Sequence, residues 1–327
     1  MKRRTFITLL GGAAAAWPMA ARAQQPKVPV MGYLNPGSAA SSAQTLAIFR
    51  QSLAEAGYVE GRNIAIEYRF AEGQYDRLPA MASELVRREV TVIVATGGTA
   101  PALAAKAATA TIPIVFSVTD DPVALGLVVS FARPGGNATG VNFPLAELAA
   151  KQLGLLHEVV PAARRIGLLV NPNNSPSEAV TKDVTVAAST MGIEIGVVEA
   201  DSSRAIEAAF ATLVRNRAEA LLIGTDPFLF SRRVQLSTLA TRHAIPAAFS
   251  AREFPEAGGL MSYGTSLTEV FRQLGAYAGR ILTGAKPADL PVVRSVTFEF
   301  VINMSTAKAL GLEIPPTLLA RADEVIE

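Results

Sequence analysis

The stretch that most narrows the fold is VTVIVATGGTAPALAAKAATATIPIVFSVTDDP at residues 90–122. It reads as strand, polar loop, helix, strand, polar loop. The run from Val90 to Ala95 is β-branched and continuous instead of alternating, which suits a parallel strand buried on both faces. Gly97 and Gly98 then allow a sharp turn, Thr96 and Thr99 offer hydroxyls, and Thr99 is placed to cap the helix that follows. A second apolar run ends in Thr119-Asp120-Asp121-Pro122. Ligands of open α/β sheets bind at the carboxyl edge of the strands, so such loops predict a binding rim. Glycine, threonine and aspartate also make ordinary turns and caps, so the inference rests on repetition along the chain.

That repetition is present. Val28 to Leu34 is an apolar run ending in Asn35-Pro36-Gly37-Ser38, and Ser41 to Ala56 carries Leu46, Phe49 and Leu53 at helical spacing before Gly57 closes it. Asn63 to Phe70 alternates as a strand, and Leu78 to Arg88 is helical. This βαβαβαβ series with short loops predicts a parallel, doubly wound sheet with right-handed crossovers. The turn Arg133-Pro134-Gly135-Gly136-Asn137 and a strand at Ala138–Phe143 lead into a second series. It comprises strands at Arg165–Val170, Ile193–Glu199, Ala220–Gly224 and Pro246–Ser250, with helices between them and polar loops at Asn171-Pro172-Asn173-Asn174 and Thr225-Asp226-Pro227. Two units of similar length predict two lobes. A strand at Gly258–Gly264, a helix at Leu267–Leu282 and a strand at Ser295–Ile302 are left over. They predict a chain that recrosses between lobes, with connections near residues 140, 262 and 295, and such a triple hinge favours bending. The expected lobes are residues 24–141 with 265–292, and residues 142–264 with 293–327.

Half of the 327 residues are hydrophobic and 18% are charged, far from a disordered composition and enough for two domains. The net charge of +2 reflects Lys2, Arg3, Arg4 and Arg22; without them 26 basic residues face 28 acidic ones, and no basic patch remains to suggest nucleic acid. The opening MKRRTFITLLGGAAAAWPMAARAQQ has a basic start, a short apolar stretch and Ala21-Arg22-Ala23, the layout of a cleaved export signal over residues 1–23. Arg3-Arg4 followed by Thr5-Phe6-Ile7 is of twin-arginine type. No later run approaches the roughly 20 apolar residues of a membrane span, so the expected mature chain is not inserted in a membrane. Cysteine is absent, which excludes disulfides, thiol nucleophiles, thiolate metal sites and a lipid-modified cysteine.

An enzyme reading finds little to build on. The histidines, His157 and His243, both sit in amphipathic helical patterns, and the sequence has no HExxH, GxGxxG, P-loop or GxSxG motif. Neither a cofactor nor a metal is expected. What remains is a binding site at the strand ends: Asn35 and Ser38; Thr96, Gly97 and Thr99; Thr119 and Asp120; Asn171 and Asn173; Asp226 and Phe228; and Tyr263 near a crossover. Helix-start amides with hydroxyls suit a carboxylate, Asp or Asn oxygens suit an ammonium, and Phe228 or Tyr263 would cover an apolar side chain. An amino acid would use all three. Two other readings stay open at this point, a cleft isomerase or hydrolase using Asp120 and Asp226, and a sensory module that presents ligand to a receptor kinase.

Several strings together resemble one family. They include Thr96-Gly97-Gly98, Ala104-Ala105-Lys106-Ala107-Ala108-Thr109, Asp121-Pro122 before Gly126-Leu127-Val128, and Arg133-Pro134-Gly135-Gly136-Asn137-Ala138-Thr139-Gly140-Val141. Asn171-Pro172, Gly258-Gly259-Leu260-Met261-Ser262-Tyr263-Gly264, Ala285-Lys286-Pro287-Ala288-Asp289-Leu290-Pro291 and Ala322-Asp323-Glu324 follow in the same order. This pattern resembles the ABC transporter substrate-binding proteins that include tryptophan-binding lipoprotein-like members. The resemblance implies a type I periplasmic binding fold, with two α/β lobes, three crossovers and a small molecule clamped between them. It also implies a monomer in the periplasm, an ABC permease in the inner membrane as partner, and no catalysis. Lipoprotein relatives are tethered through a cysteine that this chain lacks.

Overall fold

The computed structural model describes residues 28–143, 146–174 and 177–327; the export signal expected at residues 1–23 lies outside the described residues. The apolar runs of the first half become β1 (Val30–Asn35), β2 (Ala65–Phe70), β3 (Val92–Ala95), β4 (Ile114–Val118) and β5 (Ala138–Asn142), alternating with α1 (Ala43–Glu55), α2 (Leu78–Arg87) and α3 (Thr99–Ala108). The second lobe follows as α4 (Ala146–Val159), β6 (Arg165–Val170), α5 (Ser177–Thr190), β7 (Glu194–Glu199), α6 (Ser203–Arg215) and β8 (Ala220–Ile223). It continues through α7 (Pro227–Ser231), α8 (Arg233–Arg242), β9 (Ala247–Phe249), α9 (Glu253–Glu256) and β10 (Met261–Thr265). The chain then returns to the first lobe as α10 (Leu267–Leu282) and β11 (Val293–Arg294). It ends on the second as β12 (Phe298–Asn303), α11 (Met304–Ala309), α12 (Pro316–Leu319) and β13 (Glu324–Ile326).

The six-stranded sheet has the order β11-β5-β4-β3-β1-β2 and is parallel throughout. The seven-stranded sheet has the order β13-β12-β10-β9-β8-β6-β7, with β12 antiparallel to β10 and every other pairing parallel. Leu34 pairs with Ala95 and Ala95 with Phe116, so β1, β3 and β4 finish level and their loops emerge from one edge. β3 and β4 are buried at every position, as expected of strands covered on both faces. Residues of α2 and α3 fill one side of the first sheet, while α1 and α10 pack on the other.

α10 is tied into the first lobe although it follows the second in sequence. Its buried face, Val270, Phe271, Leu274, Tyr277, Ala278 and Ile281, recurs at helical spacing. Gly275 and Gly279 lie on the contact with α1: a Cβ at Gly275 would fall 2.7 Å from the Phe49 carbonyl oxygen, and one at Gly279 would fall 2.3 Å from Ala56 Cβ. The Ser52 hydroxyl donates to the Arg272 carbonyl at 2.6 Å in the same seam. Three crossovers therefore join the lobes, after β5, after β10 and after β11.

Two local expectations are corrected. The strand expected at Ser295–Ile302 begins later, at Phe298, because the Ser295 amide still donates to the Asn142 carbonyl of the first sheet and the residues between cross to the second. Thr99 is not the cap of α3. Gly98, at φ 115°, takes that position and Thr99 is the first helical residue. Because the α1–α10 seam has no room for a side chain, Gly275→Leu is expected to lower stability by about 2–3 kcal/mol through overpacking, read as a shift of the urea midpoint at unchanged m-value.

Candidate ligand cleft

The loop-bearing edges of the two sheets bound a cavity of about 1050 Å³, its open mouth included. On the first-lobe side it is polar. Asn35 ends β1, Ser42 and Thr45 begin α1, Gly97 follows β3, and Ser117 and Thr119 end β4. The second lobe adds Asn174 after β6, Thr225 and Asp226 after β8, and Ser250 after β9. The remaining wall is apolar: Phe143 at the first crossover, Phe271 of α10, and Phe230 and Phe254, whose rings meet edge to face at 6.0 Å. No Lys, Arg or His is among the described residues that line it, and Asp226 is the one ionisable side chain there.

Of the residues expected from the sequence, Asn35, Gly97, Thr119 and Asp226 line this cavity. Asn35 is held from both ends: its Oδ1 accepts from Gly37 N at 2.7 Å and its Nδ2 donates to Thr96 Oγ1 at 2.8 Å. Thr96 is thus a support behind Asn35, donating in turn to the Tyr33 hydroxyl at 3.2 Å; burial pushes that phenol up to about 12. Thr99 and Asp120 form a similar brace. Thr99 Oγ1 donates to Asp120 Oδ2 at 2.5 Å and lies 3.3 Å from Thr119 Oγ1. Asn171 is buried below Asp226 and accepts from Asn173 N at 3.0 Å.

Ser38, Asn173, Phe228 and Tyr263 do not line the cavity. Ser38 exchanges hydrogen bonds with Ser41, Asn173 is exposed, and Tyr263 stacks on Phe298 of β12. Phe228 instead lies beside Gly73 of the first lobe, where a Cβ would meet its ring at 3.6 Å. In three places a near neighbour takes the lining position: Asn174 for Asn173, Phe230 for Phe228 and Thr265 for Tyr263. Phe143, Phe230, Phe254 and Phe271 were not among the site residues expected from the sequence.

Tyr75, between β2 and α2, carries no signal in the sequence. Its hydroxyl donates to Asp226 Oδ2 at 2.7 Å, joining the lobes directly. Asp226 Oδ1 accepts from Leu229 N at 2.8 Å, capping α7. Burial raises the Asp226 carboxyl above the usual carboxylate range, against the Leu229 and Phe228 amides and the Tyr75 and Asn171 side chains that favour its charge, and burial next to that carboxylate raises the Tyr75 phenol as well. The lobes are therefore latched across the cleft mouth, at the first lobe's β2 edge and away from the crossovers at its β5 and β11 edge.

Two facing parallel-sheet lobes, three crossovers and a cleft between loop-bearing edges define a type I periplasmic binding fold, the architecture of a solute-binding protein. The family model described as ABC transporter substrate binding protein matches residues 36–326, and the chain belongs to that family. It is 29% identical over 265 residues to a tyrosine-binding protein of Clostridioides difficile strain R20291, covering 81% of this chain and 76% of the relative. A Streptococcus pneumonia ABC domain in complex with L-Trp superposes with a TM-score of 0.81 at 26% identity, over 92% of this chain and all of that one. A ligand-free, open substrate-binding protein with adhesive properties from Clostridium difficile gives 0.63 at 27% identity, over 91% and 99%. Identity and coverage are nearly equal in the two structural matches. The closer superposition on the L-Trp complex agrees with a latched, closed arrangement of the lobes.

Tyr75→Phe leaves Asp226 Oδ2 without its donor only when the lobes are shut, so it should cost the closed state about 1–3 kcal/mol. The expected result is ligand dissociation accelerated between about fivefold and about 150-fold, at nearly unchanged association rate, in stopped-flow measurements.

Proposed function

We propose that the chain is the periplasmic receptor of an ABC importer and that it captures an amino acid with an aromatic or large apolar side chain. The observation that carries this reading is the division of the cleft: hydroxyls and amides at the strand ends on one side, four phenylalanines on the other, and no basic side chain among the described lining residues. Without a guanidinium or ammonium to meet it, a ligand carboxylate would depend on backbone amides at Gly97-Gly98 and the start of α3, with Ser42 and Thr45 hydroxyls nearby. Phe143, Phe230, Phe254 and Phe271 suit a ring in offset or edge-on contact. The tyrosine-binding relative and the L-Trp complex support the same ligand class. Among the described residues no helix is long and apolar enough to cross a membrane.

In this reading residues 1–23 are a cleaved twin-arginine-type signal, and the mature chain is a monomer that docks on a permease of the inner membrane. Asn35, Gly97, Thr119 and Asp226 face the ligand or its closure, with Thr96, Thr99, Asp120 and Asn171 bracing them. The lobes, parted at the three crossovers, close as bodies around the solute. Ligand contacts with both lobes exist together only when the cleft is shut, so occupancy favours the closed form that a permease would recognise. In this reading the chain performs no reaction, and Asp226, the one carboxylate among the described residues lining the cavity, serves the contact between lobes, with donors on both oxygens.

The sequence offers a direct test. Trp17 is the only tryptophan and lies in the signal, so protein beginning at Gln24 has no indole of its own. Added L-tryptophan should show saturable, blue-shifted emission and raise the melting temperature, as expected when a ligand binds the native state alone. Absence of both effects for every amino acid, with protein refolded free of ligand, would contradict the reading.

A further inference from the structure

Beside the main cavity lies a smaller chamber of about 250 Å³, mouth included, which shares Ser250, Ala251, Thr265 and Leu267 with it. Its other walls are Arg252, Glu253, Gly264, Thr268 and Glu299. The chamber exists because β10 runs hard against the end of β9: a Cβ at Gly264 would fall 1.7 Å from the Ser250 carbonyl oxygen. Thr265 and Glu253, the first residue of α9, line the same chamber.

Two oxygens in these walls are buried with no hydrogen-bond partner, Glu253 Oε2 and Thr265 Oγ1. Their residues are only 6% and 7% exposed. Native proteins rarely leave such atoms unpaired, and a buried carboxylate oxygen without a donor costs more than a neutral one. Burial holds the Glu253 carboxyl above the usual carboxylate range, and Glu256 pushes the same way, against Arg233 and Arg252. Of these two cations, Arg233 lies over the Phe230 ring and Arg252 is already engaged by carboxylates. Arg252 pairs with Glu256 at 2.9 Å, Glu299 at 3.6 Å and Glu324 at 2.5 Å. Acceptors outnumber donors here. No group of three His, Asp or Glu among the described residues is arranged to hold a metal ion, so the matching guest is an organic cation.

We propose that this chamber seats the protonated amine of the ligand, with Glu253 as its counter-ion and the Thr265 and Ser250 hydroxyls as further acceptors. An ammonium brings donors to two oxygens that lack one, beside a guanidinium, Arg252, that is already shared among Glu256, Glu299 and Glu324. Asp226, the carboxylate in the main cavity, is the weaker candidate because its two oxygens already hold the Tyr75 hydroxyl and the Leu229 amide. The proposal rests on the cleft being an amino-acid site, and it assigns the amine to the second lobe, next to the crossover that leads into α10.

The test compares wild type, Glu253→Gln and Thr265→Val by calorimetry with L-tryptophan and L-tyrosine. Their deaminated counterparts, indole-3-propionate and 3-(4-hydroxyphenyl)propionate, serve as controls. Glu253→Gln should weaken amino-acid binding at least tenfold and leave the deaminated acids unaffected, while the melting temperature of the empty protein stays level or rises by about 2–4 °C as an unpaired charge is removed. Thr265→Val should weaken the amino acids by severalfold and spare the deaminated acids in the same way, keeping the proposal testable if Glu253→Gln does not fold. Wild-type affinity for amino acids in Glu253→Gln would overturn the proposal, leaving a water as occupant. So would a matched fall in melting temperature and affinity, the mark of a structural role. Failure of wild type to bind any amino acid would instead overturn the reading of the whole cleft.

Discussion

Parallel strand pairing sends every strand-to-helix loop of a sheet out of one edge, and the rest of this molecule follows from placing two such edges face to face. Within the first lobe, β1, β3 and β4 end at the same edge, at Asn35, Ala95 and Val118, and gather Asn35, Gly97 and Thr119 on one rim. The second sheet presents Asn174, Thr225 and Ser250 from the ends of β6, β8 and β9. Facing is imposed by the three crossovers and by α10, which leaves β10 of the second lobe and locks at Gly275 and Gly279 onto α1 of the first. A single connection would leave the rims free to turn apart. Three restrict them to opening and closing.

Closure then becomes a matter of a few polar contacts. Tyr75 and Asp226 meet across the mouth, where a phenol is spent on a carboxylate that burial would otherwise penalise. The bond exists only in the shut form, so its free energy enters the open–closed equilibrium directly and adds to what the ligand supplies. Glu253 has the opposite character. It lies at the same sheet edge with an oxygen left open, and a site that holds an unpaired buried acceptor while empty is one that gains from being filled. One carboxylate therefore serves the lobes and the other awaits the solute.

Much of the fold was legible in the residues. Continuous β-branched runs such as Val92–Ala95 specify doubly covered strands, and leftover elements after two complete units imply the returns between lobes. The loops at strand ends were legible too, because ligand sites of this architecture must lie there. The side chain that faces inward was not. Phe228 and Phe230 are two residues apart on the short helix α7, roughly 200° around its axis, and the cap made by Asp226 fixes which of them turns to the cavity. Likewise Tyr263 is drawn to Phe298 and Phe300 by antiparallel pairing with β12, leaving Thr265 at the cavity. The Tyr75 bond to Asp226 spans 151 positions and depends on lobe closure, so local pattern carries no trace of it.

The central claim is that two bodies close on a solute between them, and the distance between those bodies measures it most directly. The chain has no cysteine, so Arg77→Cys with Arg204→Cys would place one dye on an exposed position of each lobe without competing thiols. Single-molecule energy transfer should reveal two distances in the empty protein, with L-tryptophan or L-tyrosine shifting molecules to the shorter one at a concentration matching the calorimetric affinity. One fixed distance, unchanged by a ligand that demonstrably binds, would contradict the account.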